Sequence, residues 1–182
     1  MLKRSLLSLA GAALLCGCSL VTTEVETDVR ISGTVTGNDT QVFDQQTKDL
    51  LEIEDYKNNI DKIKNGEVYA FLIEFTNVYG DNMARTVGGR VNVRTVGSDD
   101  WIQGVAHWNP IYLGDSTDPD RNSRLNSVYV EPEPEASTKL NEILFNDNPK
   151  PVEFQIEGFA SDTPVHFDYR VTVYIRIKAS AG

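Results

Sequence analysis

The stretch VEFQIEGFASDTPVHFDYRVTVYIRIK (residues 152–178) decides the fold class. From Val165 to Ile177, apolar residues fill every second position, and polar or charged residues fill most positions between them. This period of two predicts a long β-strand with one buried face and one solvated face. A second apolar alternation at 152–160 precedes it, and the short polar segment 161–163 lies between the two. The pattern therefore predicts a β-hairpin.

The charges of the two segments predict the register of that hairpin. The apolar residues of both strands must share one face, and a slip of one residue would reverse the faces. One allowed register sets Glu153 opposite Arg170 and Glu157 opposite His166, whereas the next one sets Glu157 beside Asp168. Because like charges opposite each other destabilise a sheet, we expect the first register.

Other segments predict further strands. The run at 67–78 is nearly continuous in apolar, β-branched and aromatic residues, and it predicts a central strand covered on both faces. Gly88-Gly89 predicts a bulge or a close approach in the strand around it. The cluster GNDT at 37–40 predicts a turn after the first alternating strand. The remaining strand patterns lie at 27–36, 86–97 and 124–130, and residues 101–114 predict one or two short strands broken by Asn109-Pro110.

Two segments have helical spacing. Residues 50–64 repeat apolar residues at three- and four-residue steps, and Gly66 would end that helix. Residues 137–145 predict a short helix with Ser137 as its N-cap, after an extended connector EPEPE at 131–135. Together these patterns predict a mainly β protein, an antiparallel β-sandwich of immunoglobulin-like type with one or two short helices.

The N-terminus has the pattern of an export signal. Lys3 and Arg4 precede an uncharged apolar run from Leu6 to Leu15, which is too short to cross a bilayer. Two cysteines follow as Cys16-Gly17-Cys18. Their spacing is not that of a thioredoxin-like site, and the chain has no further cysteine to complete a zinc site.

Leu15-Cys16-Gly17-Cys18 resembles the lipobox of bacterial lipoproteins, in which a small residue precedes the lipidated cysteine. The resemblance implies that residues 1–17 are removed and that Cys18 carries a diacylglyceryl group on its thiol and an acyl chain, such as palmitate, on its amine. Several chains anchor a protein stably where one is marginal. Ser19 implies sorting to the outer membrane. The alternative is an ordinary signal peptide with incidental cysteines.

The charge balance limits the partners. The chain has 17 basic and 27 acidic residues, and removal of Lys3 and Arg4 with the signal would leave 15 basic residues and a net charge of −12. Such a chain is repelled by nucleic acid, so we expect no nucleic-acid partner. The expected organisation is a signal peptide at 1–17, a lipidated N-terminus and tether at 18–27, and a single sandwich domain at 28–182.

No catalytic motif is evident in the sequence, and we expect a protein that is not an enzyme. It has no Gly-x-Ser-x-Gly elbow, no His-Glu-x-x-His and no phosphate-binding glycine loop. His166 lies on the solvated face of its strand and is expected in a surface ion pair. His107 is expected to be structural.

A cluster of aromatic residues forms the first candidate ligand site. Trp101, His107, Trp108 and Tyr112 lie close together in sequence, and exposed aromatic side chains can stack on sugars or contact a partner. The alternative is that they fill the core between the sheets.

An acidic loop forms the second candidate site. Asp115, Asp118, Asp120 and Asn122 provide oxygen atoms that suit a weak Ca²⁺ site, which would be the only cofactor. Pro119 interrupts the run, the glycine and glutamate of a calcium loop are missing, and Arg121 adds positive charge. The alternative is a solvated turn.

Basic residues on two strands form a third candidate surface. Arg90 and Arg94 share one strand face, and Arg170, Arg176 and Lys178 share another. Cross-strand acids would neutralise them; otherwise they would attract an anionic partner.

The patterns together predict a lipoprotein of the bacterial outer membrane that acts as a non-catalytic structural or interaction module. Its expected partners are the membrane, through Cys18, and another envelope protein or a glycan. The alternative is a ligand-binding module for calcium or carbohydrate centred on residues 101–122.

Overall fold

The computed structural model describes residues 22–59, 63–123, 126–145 and 149–180. It contains eight strands, two α-helices and two short 3-10 turns within these ranges. The strands are β1 Thr22–Gly37, β2 Gln41–Lys48, β3 Ile63–Val78, β4 Thr86–Thr95, β5 Ile102–Tyr112, β6 Asn126–Val130, β7 Val152–Ala160 and β8 Val165–Ser180. The helices are α1 Glu54–Asn59 and α2 Pro134–Leu144, and the 3-10 turns are Leu50–Glu52 and Arg121–Ser123.

The strands form two four-stranded antiparallel sheets. One sheet, the β8 sheet, has the order β1-β8-β3-β6, and the other, the β7 sheet, has the order β2-β7-β4-β5. The pairings are nested, because the first strand pairs with the last, the second with the seventh, the third with the sixth and the fourth with the fifth. The predicted antiparallel β-sandwich is confirmed. Its strand order is that of a jelly roll rather than the expected immunoglobulin order, in which the first strand lies beside the second.

The core lies between the two sheets. On β8, Phe167, Val171 and Ile175 point inward and are buried, as the alternation predicted. Phe75 packs edge-on against Phe167, with ring centroids 5.2 Å apart. Ile31 and Phe154 bring the inner faces of β1 and β7 into the same cluster. Burial of such side chains stabilises the fold by about 2 kcal/mol each.

The predicted hairpin of 152–178 is wrong. β7 pairs with β2 and β4, whereas β8 pairs with β1 and β3, so the two strands belong to opposite sheets. Glu153 lies opposite Arg94, and Arg170 lies opposite Glu74. Alternation reports only which side chains face the core, and two strands that face each other across a core satisfy it as well as two neighbours do.

The predicted helix at 50–64 is also wrong in its extent. A 3-10 turn and the short α1 replace it, β3 begins at Ile63, and residues 60–62 lie outside the described ranges. Gly66 lies within β3 rather than at a helix end. A Cβ atom there would lie 2.5 Å from the Phe145 ring, so glycine allows that ring to approach the strand.

β3 is an interior strand, as predicted, but only one of its faces is fully buried. Phe71 and Ile73 point into the core, whereas Tyr69, Leu72 and Glu74 on the other face are half-buried. β5 continues through Asn109-Pro110, which a strand at the sheet edge tolerates.

One strand and the first residues of two other elements differ from expectation. β2 was not predicted, because no position along this edge strand is fully buried and its apolar pattern is weak. α2 begins at Pro134, inside the expected connector, since proline suits the first turn of a helix. β1 begins at Thr22, so residues 22–27 are paired with β8 rather than forming a tether.

The predicted signal peptide, residues 1–17, and Cys18 lie outside the described residues. No helix in the described part of the chain has the length and apolar character needed to cross a bilayer.

Candidate functional site

The start of β5 and the N-terminal end of α2 enclose an open cleft of about 930 Å³. This cleft, the Trp101 cleft, is lined by Trp101 and His107 from the predicted aromatic cluster. Its other lining residues are Asp100, Ile102, Gln103, Gly104, Glu133, Pro134, Glu135, Ala136 and Lys139. The volume is in the range of small-ligand sites.

A bulge in β5 shapes the floor of the cleft. Ala106 lies opposite Val91 and Ile102 lies opposite Val93, so β5 contains two extra residues between these pairs. Gly104, with φ +61°, lies in the bulge in the left-handed region that favours glycine. A Cβ atom there would lie 2.2 Å from His107 Nε2. The glycine therefore lets the imidazole lie against the backbone.

Hydrogen bonds hold this bulge against the sheet. The Gly104 amide donates to Asn92 Oδ1 at 2.8 Å, and Asn92 Nδ2 donates to Gln155 Oε1 at 2.8 Å. Asn92 is buried, and its side-chain amide joins β5 to β7 through these two hydrogen bonds. The cleft floor is thus fixed by two neighbouring strands.

Arg94 sets the orientation of Trp101. The guanidinium carbon of Arg94 lies 4.4 Å from the centroid of the indole ring, a cation–π contact. Glu153 forms an ion pair with the same guanidinium. Trp101 is half-buried and lines the cleft beside this contact.

The opposite wall of the cleft is the first turn of α2. The Glu133 amide donates to the Val105 carbonyl at 3.2 Å and fastens the helix start to β5. Glu135 pairs with Lys139 at 3.2 Å along the helix. The cleft is acidic overall, because Glu133 and Asp100 add two more exposed carboxylates to its lining.

The other two aromatic residues of the predicted cluster lie elsewhere. Trp108 points into the core and is only 6% exposed, so the alternative interpretation as core holds for it. Its ring packs on Gly89, where a Cβ atom would lie 2.4 Å away. No described residue accepts a hydrogen bond from Trp108 Nε1. Tyr112 lies at the far end of β5 and donates a hydrogen bond to Asp115.

The structure does not bring the predicted calcium ligands together. Asp115 pairs with Arg85 at 2.9 Å. Asp118 Oδ1 accepts a hydrogen bond from the Asp120 amide, so the two form a local turn. Asn122 accepts from the Val78 amide at 2.6 Å and donates to the Val78 carbonyl at 3.0 Å. Within the described ranges, no three His, Cys, Asp or Glu residues are grouped for a metal ion.

The calcium interpretation of residues 115–122 is therefore corrected to a structural one. The loop is bound to the end of β3 by Asn122 and by the buried Arg121, which donates to the carbonyls of Tyr79 and Asn82. Its oxygen atoms satisfy backbone and arginine donors instead of converging.

The predicted basic surface is neutralised. Arg90 and Arg94 pair with Glu157 and Glu153 on the β7 sheet. Arg170 pairs with Glu74 at 3.1 Å on the β8 sheet. Arg176 pairs with Glu26 and Glu67, and Lys178 lies 3.8 Å from Glu24. The two basic groups belong to different sheets, so they form no common surface.

His166 contacts a surface carboxylate, that of Asp81. Its Nδ1 lies 2.7 Å from Asp81 Oδ1, and the Tyr79 ring stacks on the imidazole at 4.0 Å. The hydrogen bond with His166 lowers the pKa of the Asp81 carboxyl. Asp168 nearby accepts hydrogen bonds from Asn77, Thr34 and Tyr79, which lower the pKa of Asp168.

The sequence alone did not reveal the acidic wall of the Trp101 cleft. Glu133 and Glu135 lie about thirty residues beyond Trp101 and reach the cleft only because α2 folds back onto β5. Two signals point toward it: Gly104 within a strand pattern, which suggests a bulge, and Pro134 as a helix start.

No protein-family model and no curated protein matches the sequence. Among solved structures, the chain is similar to that of Desmodium yellow mottle tymovirus, with 9% identity, TM-score 0.37 and coverage of 99% of this chain and 97% of that one. It is also similar to the chain of turnip yellow mosaic virus, with 10% identity, TM-score 0.40 and coverage of 99% of this chain and 92% of that one. For the decameric BFDV capsid protein the identity is 9% and the TM-score 0.42, with coverage of 86% of this chain and 99% of that one. The fold assignment rests on the strand order and not on these distant likenesses.

Proposed function

We propose that this chain is a lipoprotein of the bacterial outer membrane, anchored through Cys18, whose β-sandwich is a non-catalytic structural or interaction module. The lipobox resemblance at Leu15–Cys18 supports the anchor. The observation that carries the proposal is the start of β1 at Thr22, only four residues after Cys18.

This spacing would hold the sandwich close to the bilayer. Four residues span at most ~14 Å, so the end of the sandwich with Thr22 and Ser180 would lie at the membrane surface. β1 has 16 residues and is ~50 Å long, so its other end at Gly37 would point away.

Exposed apolar side chains favour an interaction role for the end that points away. Five large hydrophobic residues lie at or toward that end: Phe43, Tyr79, Met83, Tyr112 and Phe159. Exposed apolar groups of this kind often mark contact surfaces.

The anchor is tested by labelled-palmitate incorporation and by mass spectrometry of the N-terminal peptide in a Gram-negative host. We expect the natural chain to carry lipid on Cys18 and to fractionate with the outer membrane. Cys18→Ala should abolish labelling, whereas the matched variant Cys16→Ala should keep it. An unmodified N-terminus, or loss of label in Cys16→Ala alone, would refute the assignment.

The Trp101 cleft favours a second candidate function, a ligand-binding module. The sequence predicts carbohydrate as its ligand, and of the aromatic cluster expected to bind a carbohydrate, Trp101 and His107 line one cleft. Titration calorimetry with the natural chain and Trp101→Leu tests whether this cleft binds a ligand.

A further inference from the structure

We propose that the Trp101 cleft binds an arginine or lysine side chain presented by a segment of a partner protein. This inference rests on the proposed interaction role, which it extends from the exposed apolar end of the sandwich to the start of β5 at the other end, and it names the chemistry of the partner. It does not depend on lipidation, because its test measures peptide binding by the Trp101 cleft and not attachment to a membrane.

The indole of Trp101 provides the aromatic surface for that side chain. Tryptophan offers the most favourable ring for cations. In this protein its ring already holds one guanidinium, that of Arg94 at 4.4 Å. Glu153 holds Arg94 in place, so the indole orientation is fixed before a partner arrives.

The walls select a positive charge. Three exposed carboxylates line the cleft, those of Asp100, Glu133 and Glu135, against one ammonium, that of Lys139. Lys139 is already paired with Glu135. The carboxylates of Asp100 and Glu133 pair with no described residue, so they are available to a cation from outside.

Other ligand classes fit these walls less well. The N-terminal end of a helix favours anions, but Glu133 and Glu135 occupy the start of α2 and repel them. A neutral sugar could stack on Trp101 but would gain nothing from the net charge of the walls. A basic side chain uses both the indole and the carboxylates.

The cleft volume of about 930 Å³ admits a short peptide segment rather than a single ion. The partner would approach a protein of net charge −12 once residues 1–17 are removed, which would favour association with a basic segment at low ionic strength. Binding that depends on the cleft must therefore be separated from attraction by the whole protein.

The test is titration calorimetry of the full chain, purified in detergent, with the peptide Ac-Gly-Arg-Gly-Arg-Gly-NH2. The same sequence with glutamate in place of arginine and a neutral trisaccharide serve as comparison ligands. We expect binding of the arginine peptide only. Trp101→Leu should weaken it about fivefold or more. Asp100→Asn combined with Glu133→Gln should weaken it by a similar factor.

Glu52→Gln, which removes an exposed carboxylate outside the cleft, is the matched control and should change binding less than twofold. Far-ultraviolet circular dichroism confirms that each variant is folded; the acidic double variant keeps the test valid if Trp101→Leu does not fold. Three outcomes overturn the proposal: no binding of the arginine peptide, equal weakening by Glu52→Gln, or equal or tighter binding of the trisaccharide. The palmitate experiment reports the anchor separately.

Discussion

β7 and β8 are consecutive in sequence and have the same alternation, yet they lie in opposite sheets. The outer face of β7 has the acids Glu153 and Glu157, and the outer face of β8 has the bases Arg170, Arg176 and Lys178. In sequence the two sets complement each other. In the structure each set finds its partners within its own sheet, β7 on β4 and β8 on β3 and β1.

The difference shows that charge complementarity does not select a neighbour among many candidates. Exposed ion pairs contribute little, so several arrangements of these charges have similar energies. The nested pairing decides instead, because it lets all eight strands bury their apolar faces in one core.

The ion pairs of the two strands also differ in burial. The Glu157 carboxylate is nearly fully buried under Arg90, and Gln41 donates to it as well. The Lys178 and Glu24 side chains are both well exposed. Two ion pairs that look alike in sequence are therefore expected to contribute unequally to the free energy of unfolding.

The largest expected effect comes from cysteine cross-linking, which tests whether β7 and β8 lie in opposite sheets. It uses a chain that lacks both native cysteines. Thr47→Cys with Glu153→Cys should form a disulfide, as should Ser32→Cys with Arg170→Cys, because each pair lies directly opposite across a sheet. Glu153→Cys with Arg170→Cys should stay reduced. Mass spectrometry after mild oxidation reads the result. Efficient cross-linking of Glu153→Cys with Arg170→Cys would instead support the predicted pairing of β7 with β8 in one hairpin.

The next effect concerns the buried pair of the β7 sheet. Arg90→Met should lower the free energy of unfolding by about 2–3 kcal/mol, because it leaves the buried Glu157 carboxylate without its cation. Lys178→Met, the counterpart on β8, should cost less than about 1 kcal/mol. Urea denaturation measures both. Equal losses of unfolding free energy in the two variants would show that the burial of the ion pair does not decide its contribution to stability.

The smallest effect is the dependence of stability on pH. The hydrogen bond from Arg90 lowers the pKa of Glu157, and the hydrogen bonds from Asn77 and Thr34 lower the pKa of Asp168. Because both pKa values are lower in the folded state, the unfolded chain binds protons more tightly. The stabilisation is present above the unfolded pKa of about 4 and is lost as the pH falls through the folded values.

Urea denaturation between pH 2 and pH 7 tests this sign. Glu157→Gln and Asp168→Asn should each flatten the loss of stability in acid, whereas the exposed variant Glu52→Gln serves as the control. If the free energy of unfolding falls with pH as steeply in both variants as in the natural chain, the lowered pKa values of Glu157 and Asp168 do not cause the loss of stability in acid.

The candidate site shows the same division between sequence and structure as the fold. The sequence singles out Trp101 and His107 because aromatic and imidazole groups close in sequence suggest binding. Trp108, between them and Tyr112, satisfies the same pattern but points inward, since β5 alternates at this point. The acidic wall comes from a distant segment, and nothing near Trp101 in sequence announces it.

The sequence by itself determined the fold class and the inner faces of the strands, because burial requires apolar residues at every second position. It also carries the local patterns that predict an export signal and resemble a lipobox, which stay predictions. Only the tertiary structure decided which strands are neighbours, which charges pair and where the Trp101 cleft forms. Those features depend on contacts between residues far apart in the chain, and local periodicity is the same for every arrangement that buries the same faces.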